Sequence, residues 1–160
     1  MLFNTESVQA LANKQTSSLE ISEGILTSEQ WQSVLAAIQA QGAVTQLTLK
    51  NMVLTDAMCE ELATALTGQH SLVQLDVSDN AITEKGMRYL SQVIACNPDL
   101  ININLGGNVL GEHGAQWLAQ ALSGHTNLIE LDLHNACLHV AGIKQLISVF
   151  KNNPHLNAFI

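Results

Sequence analysis

The side chains of this sequence that could do chemistry fall into three small groups. Ser78, Asp132 and His134 offer a nucleophile, an orienting carboxylate and a base; His113 and His139 are two imidazoles able to ligate a metal; Cys59, Cys96 and Cys137 are thiols. Nucleophilic catalysis needs the serine and its base within hydrogen-bond reach, and a zinc site needs more ligands than two histidines. Three cysteines, odd in number and far apart, suit reduced thiols serving as small hydrophobes better than a disulfide frame or a zinc cluster. The chain carries neither G-x-x-x-x-G-K-[ST] nor G-x-G-x-x-G, so it encodes no phosphate cradle. No cofactor, no metal and no catalysis are expected.

The whole chain bounds the answer further. Its 160 residues, 47% of them hydrophobic, suit one domain with a continuous core. The formal charge is −8, from 6 Lys+Arg against 14 Asp+Glu. That balance argues against a nucleic-acid binder, which draws on clustered cations, and against docking on anionic lipid. No apolar stretch is long enough to span a bilayer. The start, Met-Leu-Phe-Asn-Thr-Glu, has no basic region followed by a long apolar one, so a cytoplasmic, soluble protein is expected.

The elements that position these residues come from an internal repeat. Leu72, Leu75, Val77, Asn80 and Ile82 follow L-x-x-L-x-L-x-x-N-x-L, as do Leu100, Ile103, Leu105, Asn108 and Leu110. The interval from Leu72 to Leu100, taken once more in each direction, reaches Leu128, Leu131, Leu133 and Leu138 on one side and Val44, Leu47, Leu49 and Leu54 on the other. A weaker copy holds Leu19, Ile21 and Leu26, and Leu156 and Phe159 begin another. Each unit continues at helical spacing, as in Ile82, Met87, Leu90 and Ile94. Thr27, Thr55 and Thr83 stand where a hydroxyl can cap a helix, and Thr27 with Gln30 spells a capping box. Gly86, Gly114 and Gly142 recur early in three helices, where glycine costs about 1 kcal/mol against alanine, so close packing there is expected.

The Gly-x-x-x-Leu-x-x-x-Leu runs beginning at Gly86, Gly114 and Gly142, with the strand pattern in phase over about residues 16–160, resemble the ribonuclease-inhibitor-like class of leucine-rich repeats. The resemblance implies an α/β fold: a leucine-rich-repeat solenoid forming a short right-handed horseshoe, with a parallel sheet on its concave face and helices on its convex face. Residues 1–160 then form one domain, with a cap over 1–15, five repeats over 16–155 and the start of a sixth strand at 156–160. The family's ladder amide is present at Asn80 and Asn108 but replaced by Gly24, Met52 and Ala136. Asn51 and Asn135, one residue earlier, or ordered water are the expected substitutes, and the bends there are expected to differ.

Because strand side chains alternate, the concave face should carry Ser18, Glu20 and Ser22; Gln46, Thr48 and Lys50; Gln74, Asp76 and Ser78; Asn102, Asn104 and Gly106; Glu130, Asp132 and His134. Glu23 and Asp79 at strand ends add to its negative sign, and no aromatic anchor stands in these rows. His134 beside Asp132 is a candidate for a pH-sensitive contact. Ser78 and His134 fall two strands apart, roughly 10 Å, too far for a catalytic pair. Tyr89 and Trp117 share one helix position in successive repeats and form a candidate second surface on the flank; Trp31 and Phe3 are expected to close the N-terminal core.

The expected function is a non-catalytic protein–protein interaction module. Its acidic, amide-rich concave face would bind a protein partner with a basic patch, through Glu20, Glu23, Thr48, Lys50, Asp76, Ser78, Asp79, Asn102, Asn104, Glu130, Asp132 and His134. The resemblance admits inhibitor, adaptor or immune-receptor roles, or a bacterial effector delivered into the host-cell cytosol. The alternative is a self-associating element that forms a homodimer through the C-terminal strand edge.

Overall fold

Alternating segments, with leucine or isoleucine facing inward in the first five, build six short strands: β1 (Ser18–Ser22), β2 (Gln46–Lys50), β3 (Gln74–Asp76), β4 (Asn102–Asn104), β5 (Glu130–Asp132) and β6 (Asn157–Phe159). They are seen in a computed structural model that describes residues 17–160, so the expected cap and Phe3 lie outside the described residues. The strands form one parallel sheet in chain order. Register sets Ser18 beside Gln46, Gln46 beside Gln74, and then Asn102 and Glu130 in turn, always at the same interval; the last step, from Glu130 to Asn157, is one residue shorter.

Parallel neighbours need crossovers, and helices supply them: α1 (Ser28–Gln41), α2 (Asp56–Ala65), α3 (Glu84–Ala95), α4 (Gly111–Ala121), then α5 (His139–Gln145) and α6 (Ile147–Asn152). The run from Gly142 to Phe150 is thus two helices, broken at the buried Leu146. Leu47, Leu49, Leu75, Ile103, Leu105 and Leu131 meet Val34, Ile38, Leu62, Leu90 and Leu118 in one core, every one of them at most 1% exposed. Trp31 joins this core at its first helix. Cys59 is buried as a small hydrophobe would be, but Cys96 and Cys137 are exposed, contrary to expectation. Cys96 follows the last turn of α3 and Cys137 stands at a bend, where the packing periods of strand and helix no longer apply.

Thr27, Thr55 and Thr83 cap α1, α2 and α3, and Thr27 with Gln30 completes the capping box. The recurrent glycine of the helices has a direct cause. A Cβ on Gly86 would lie 2.4 Å from Asp56 Oδ1, and one on Gly114 would lie 2.9 Å from Leu110 Cβ. A larger residue at 86 would push α2 and α3 apart, and one at 114 would crowd the start of its own helix.

Two sets of polar side chains, the first part-buried or buried and the second buried, hold the units together. Asn80 Oδ1 accepts the N–H groups of Met52 and Leu54 at 2.9 Å each, while its Nδ2 donates to the Leu49 and Val77 carbonyls. The bend that lacks the amide is therefore served by the next unit. Asn51 and Asn135 make no side-chain hydrogen bond among the described residues, so they do not take over the ladder. They instead adopt positive φ, as do Glu23, Asp79 and Gly107 at the same register. The second set was not foreseen: Gln69, Asn97, His125 and Asn153, all buried, stand at the opposite ends of the strands. Asn97 Oδ1 accepts the Leu72 N–H at 2.9 Å, Asn153 Oδ1 the Leu128 N–H at 3.1 Å, and His125 Nε2 faces the Asn97 carbonyl at 3.0 Å.

Candidate functional site

The sheet face away from the helices carries the candidate site. Strand register puts Glu20, Thr48, Asp76, Asn104 and Asp132 side by side, and Ser18, Gln46, Gln74, Asn102 and Glu130 in the row beside them. Adjacent strands sit about 4.8 Å apart. Around β3 to β5 these rows enclose a hollow of about 190 Å³, lined by Thr48, Gln74, Asp76, Asn102, Asn104 and Glu130 over a floor of Leu75 and Ile103. Its rim offers carboxylate and amide oxygens, an arrangement able to accept hydrogen bonds from a cationic side chain.

The expected third row forms only in part: Ser22 and Lys50 pair in register, and the Lys50 and His134 side chains are half-exposed. Ser78 and Gly106 are buried, so neither presents a side chain on this face. Asp76 Oδ1 accepts the Ser78 N–H at 2.9 Å, Asn104 Oδ1 the Gly106 N–H at 3.0 Å, and Asp132 Oδ1 the His134 N–H at 3.0 Å. Each is a side chain bonding its own backbone two residues on, a turn at which β3, β4 and β5 end. Alternation along the strand stops predicting direction beyond that point. Ser78 Oγ has no hydrogen-bond partner among the described residues, and Ser78 and His134 do not form a pair.

His134 is held elsewhere. Its Nδ1 lies 2.6 Å from Asp132 Oδ1, and its ring covers Gly106, where a Cβ would collide with it. Lys50 Nζ lies 3.5 Å from Asp79 Oδ2, so the one lysine of these rows is turned to a carboxylate of the same surface. Asn104 Nδ2 approaches Asp76 Oδ2 at 3.5 Å. Glu23 is exposed at the end of β1, in the left-handed region with φ 69°.

One residue of the face escaped sequence reasoning. Phe159 pairs with Asp132 in the last register step and is 51% exposed, so an aromatic ring extends the central row. The repeat assigns Phe159 to the core, as the counterpart of Leu131. Instead Ala158 pairs with Leu131, because the step into β6 is one residue short, and all three residues of β6 are exposed.

On the helical side, Tyr89 packs half-buried against the core, and the Arg88 guanidinium carbon lies 5.9 Å from the centroid of the Trp117 ring. Trp117 borders a hollow between α3 and α4 with Gln92, Ala95 and Gln120. A larger hollow lies between α1 and α2, where Trp31 Nε1 donates to Glu61 Oε2 at 2.8 Å. His113 Nδ1 faces Glu84 Oε2 at 2.9 Å, and among the described residues no group of three potential metal ligands comes together. No helix among those residues is long and apolar enough to cross a membrane.

No protein-family model and no curated relative matches the sequence. Among solved structures the chain is similar to leiomodin-1 actin-binding site 2, with a TM-score of 0.70 and 18% identity over 94% of this chain and 87% of that one. It is similar also to the C-terminal domain of tropomodulin from Caenorhabditis elegans, with a TM-score of 0.69 and 16% identity over 96% and 93%. At these identities the likeness is one of fold. The chain has a leucine-rich-repeat-like α/β fold with a parallel six-stranded sheet.

Proposed function

We propose that the chain is a leucine-rich-repeat solenoid of 28-residue period and ribonuclease-inhibitor-like type, and that it works as a non-catalytic module binding a protein through the open, concave face of its sheet. The observation that carries this reading is the hollow ringed by Asp76, Asn104 and Glu130. Its rim is rich in acceptors, and a lysine or arginine from a basic patch is the side chain that complements it. Phe159 supplies an apolar contact at the end of the same row. A cytoplasmic setting, or the host-cell cytosol for a delivered effector, belongs to this reading.

Leiomodin-1 actin-binding site 2 makes actin the first partner to test. Purified actin and a cytosolic lysate would be offered to the wild type and to an Asp76→Asn/Asp132→Asn protein. The reading requires a partner that the wild type retains and the double variant loses; equal retention by both assigns binding to another surface. A second reading, self-association, rests on β6, an edge strand whose Phe159 and Ile160 are each 51% exposed. Sedimentation of the wild type beside Phe159→Lys separates the two, since only self-association gives a dimer that the lysine dissolves.

A further inference from the structure

At the bends from strand to helix, one position in every unit is both apolar and exposed: Ile25, Val53, Ala81, Val109 and Cys137. Ile25 is 74% exposed, Val109 57% and Val53 51%. The next residue in each unit, from Leu26 to Leu138, turns toward the core, and the residue two before, from Glu23 to Asn135, is polar in four units and glycine in the other. Backbone bonds align these positions from unit to unit: Ala81 N donates to Leu54 O at 3.1 Å, and Val109 N to Ile82 O at 2.9 Å.

The fold does not call for apolar side chains here. Val53 has φ 57° and Cys137 φ 55°, a left-handed conformation that asparagine or glycine takes readily and a β-branched residue rarely does. Burial does not reward them either, since their side chains face water. Five such positions across four strand spacings make a ridge roughly 19 Å long, with a step of about 4.8 Å.

That step selects among partners. Apolar residues at alternating intervals of three and four along a helix recur at about 5.3 Å, close to the step of the ridge. Every second residue of an extended strand recurs at about 6.6 Å, which drifts out of step within two units. The charges beside the ridge select further. Glu23 and Asp79 lie along one side at the strand ends, and Glu29, Glu84 and Glu112 along the other in the first turns of helices. Lys50 and Lys85 are the nearby lysines, and Lys50 is held by Asp79. A second copy of this chain, at −8, would be repelled by the acidic flanks of the ridge.

We propose that this ridge docks an amphipathic helix of another protein, one with an apolar stripe of about 13 residues and lysines or arginines on both flanks. The ridge adjoins the open sheet face at Glu23 and Asp79 but does not depend on the function of that face. The test uses a fluorescein-labelled 18-residue helical peptide with leucines at alternating three- and four-residue spacing and lysines beside them, and a scrambled peptide of the same composition. Anisotropy titration of the whole chain should show the striped peptide bound at least tenfold more tightly than the scrambled one. Val53→Asn with Val109→Asn should weaken it at least tenfold while melting at or above the wild-type temperature, because asparagine suits the Val53 backbone. Asp76→Asn with Asp132→Asn should leave it unchanged. Equal binding of both peptides, full binding by the ridge variant, or loss confined to the sheet-face variant would each overturn the proposal.

Discussion

The carboxylate of Asp56, in the first turn of α2, closes on Thr83 at the start of α3: Oδ1 accepts the Thr83 N–H at 2.8 Å and Oδ2 the Thr83 hydroxyl at 2.6 Å. Oδ1 also accepts the Gly86 N–H at 2.9 Å. One side chain thus satisfies donors at a helix start in the next unit. Asp56→Ala strands these donors and should lower stability by about 1–3 kcal/mol in urea unfolding. Asp56→Asn keeps one acceptor and should lose less. A loss in both variants below about 0.5 kcal/mol would mean that water replaces the carboxylate at no cost.

The buried amides at the two ends of the strands should matter alike. Asn108 is 1% exposed and Asn97 is fully buried, and each side chain both accepts from and donates to backbone. Alanine at either position leaves backbone groups unpaired, a loss of about 1–3 kcal/mol. Chemical denaturation of the two single variants measures it; Leu105→Ala, a pure packing change, should cost about 2–5 kcal/mol as the reference.

Cys59 gives the protein an alkaline signature. Burial, with a smaller contribution from the negative charge of Asp56, pushes its thiol from 9.0 up to about 12. Above the unfolded value the unfolded chain releases this proton while the folded one keeps it, so stability falls as pH rises from 9 toward 12. The slope is about 1.4 kcal/mol per pH unit in that window, and it should be missing from Cys59→Ala. A thiol reagent at neutral pH should label the exposed Cys96 and Cys137 and spare Cys59 until the chain unfolds.

Charge changes on the open face divide into two kinds. Asp76 and Asp132 each bond a backbone N–H through Oδ1, which an asparagine oxygen can also do. The asparagine pair should melt near the wild type and slow association with a basic partner by about tenfold at low salt, the difference shrinking as salt rises. The lysine pair cannot hold the bends and should lose about 1 kcal/mol per site in addition. Stopped-flow association and thermal melts of both pairs, beside Glu60→Lys/Glu61→Lys on the helices, distinguish loss of charge from loss of the bend.

The leucines facing inward from β1 to β5, the threonine caps and the glycines at 86, 114 and 142 were all readable in the sequence, because local periodicity and the chemistry of helix starts act over a few residues and return in each unit. The central row from Glu20 to Asp132 follows from the same alternation. Tertiary structure decided what lies past the ends of that alternation. Ser78 is buried past the turn where the Asp76 side chain bonds its N–H and β3 ends, and Phe159 falls beside Asp132 and not Leu131 because the last register step is one residue short. Gln69, Asn97, His125 and Asn153 stand in step in the sequence, yet they read as ordinary surface polars until neighbouring units cover them. Spacing says which residues are equivalent; only the contacts between units, made 25 to 31 residues apart, say which of them carry bonds.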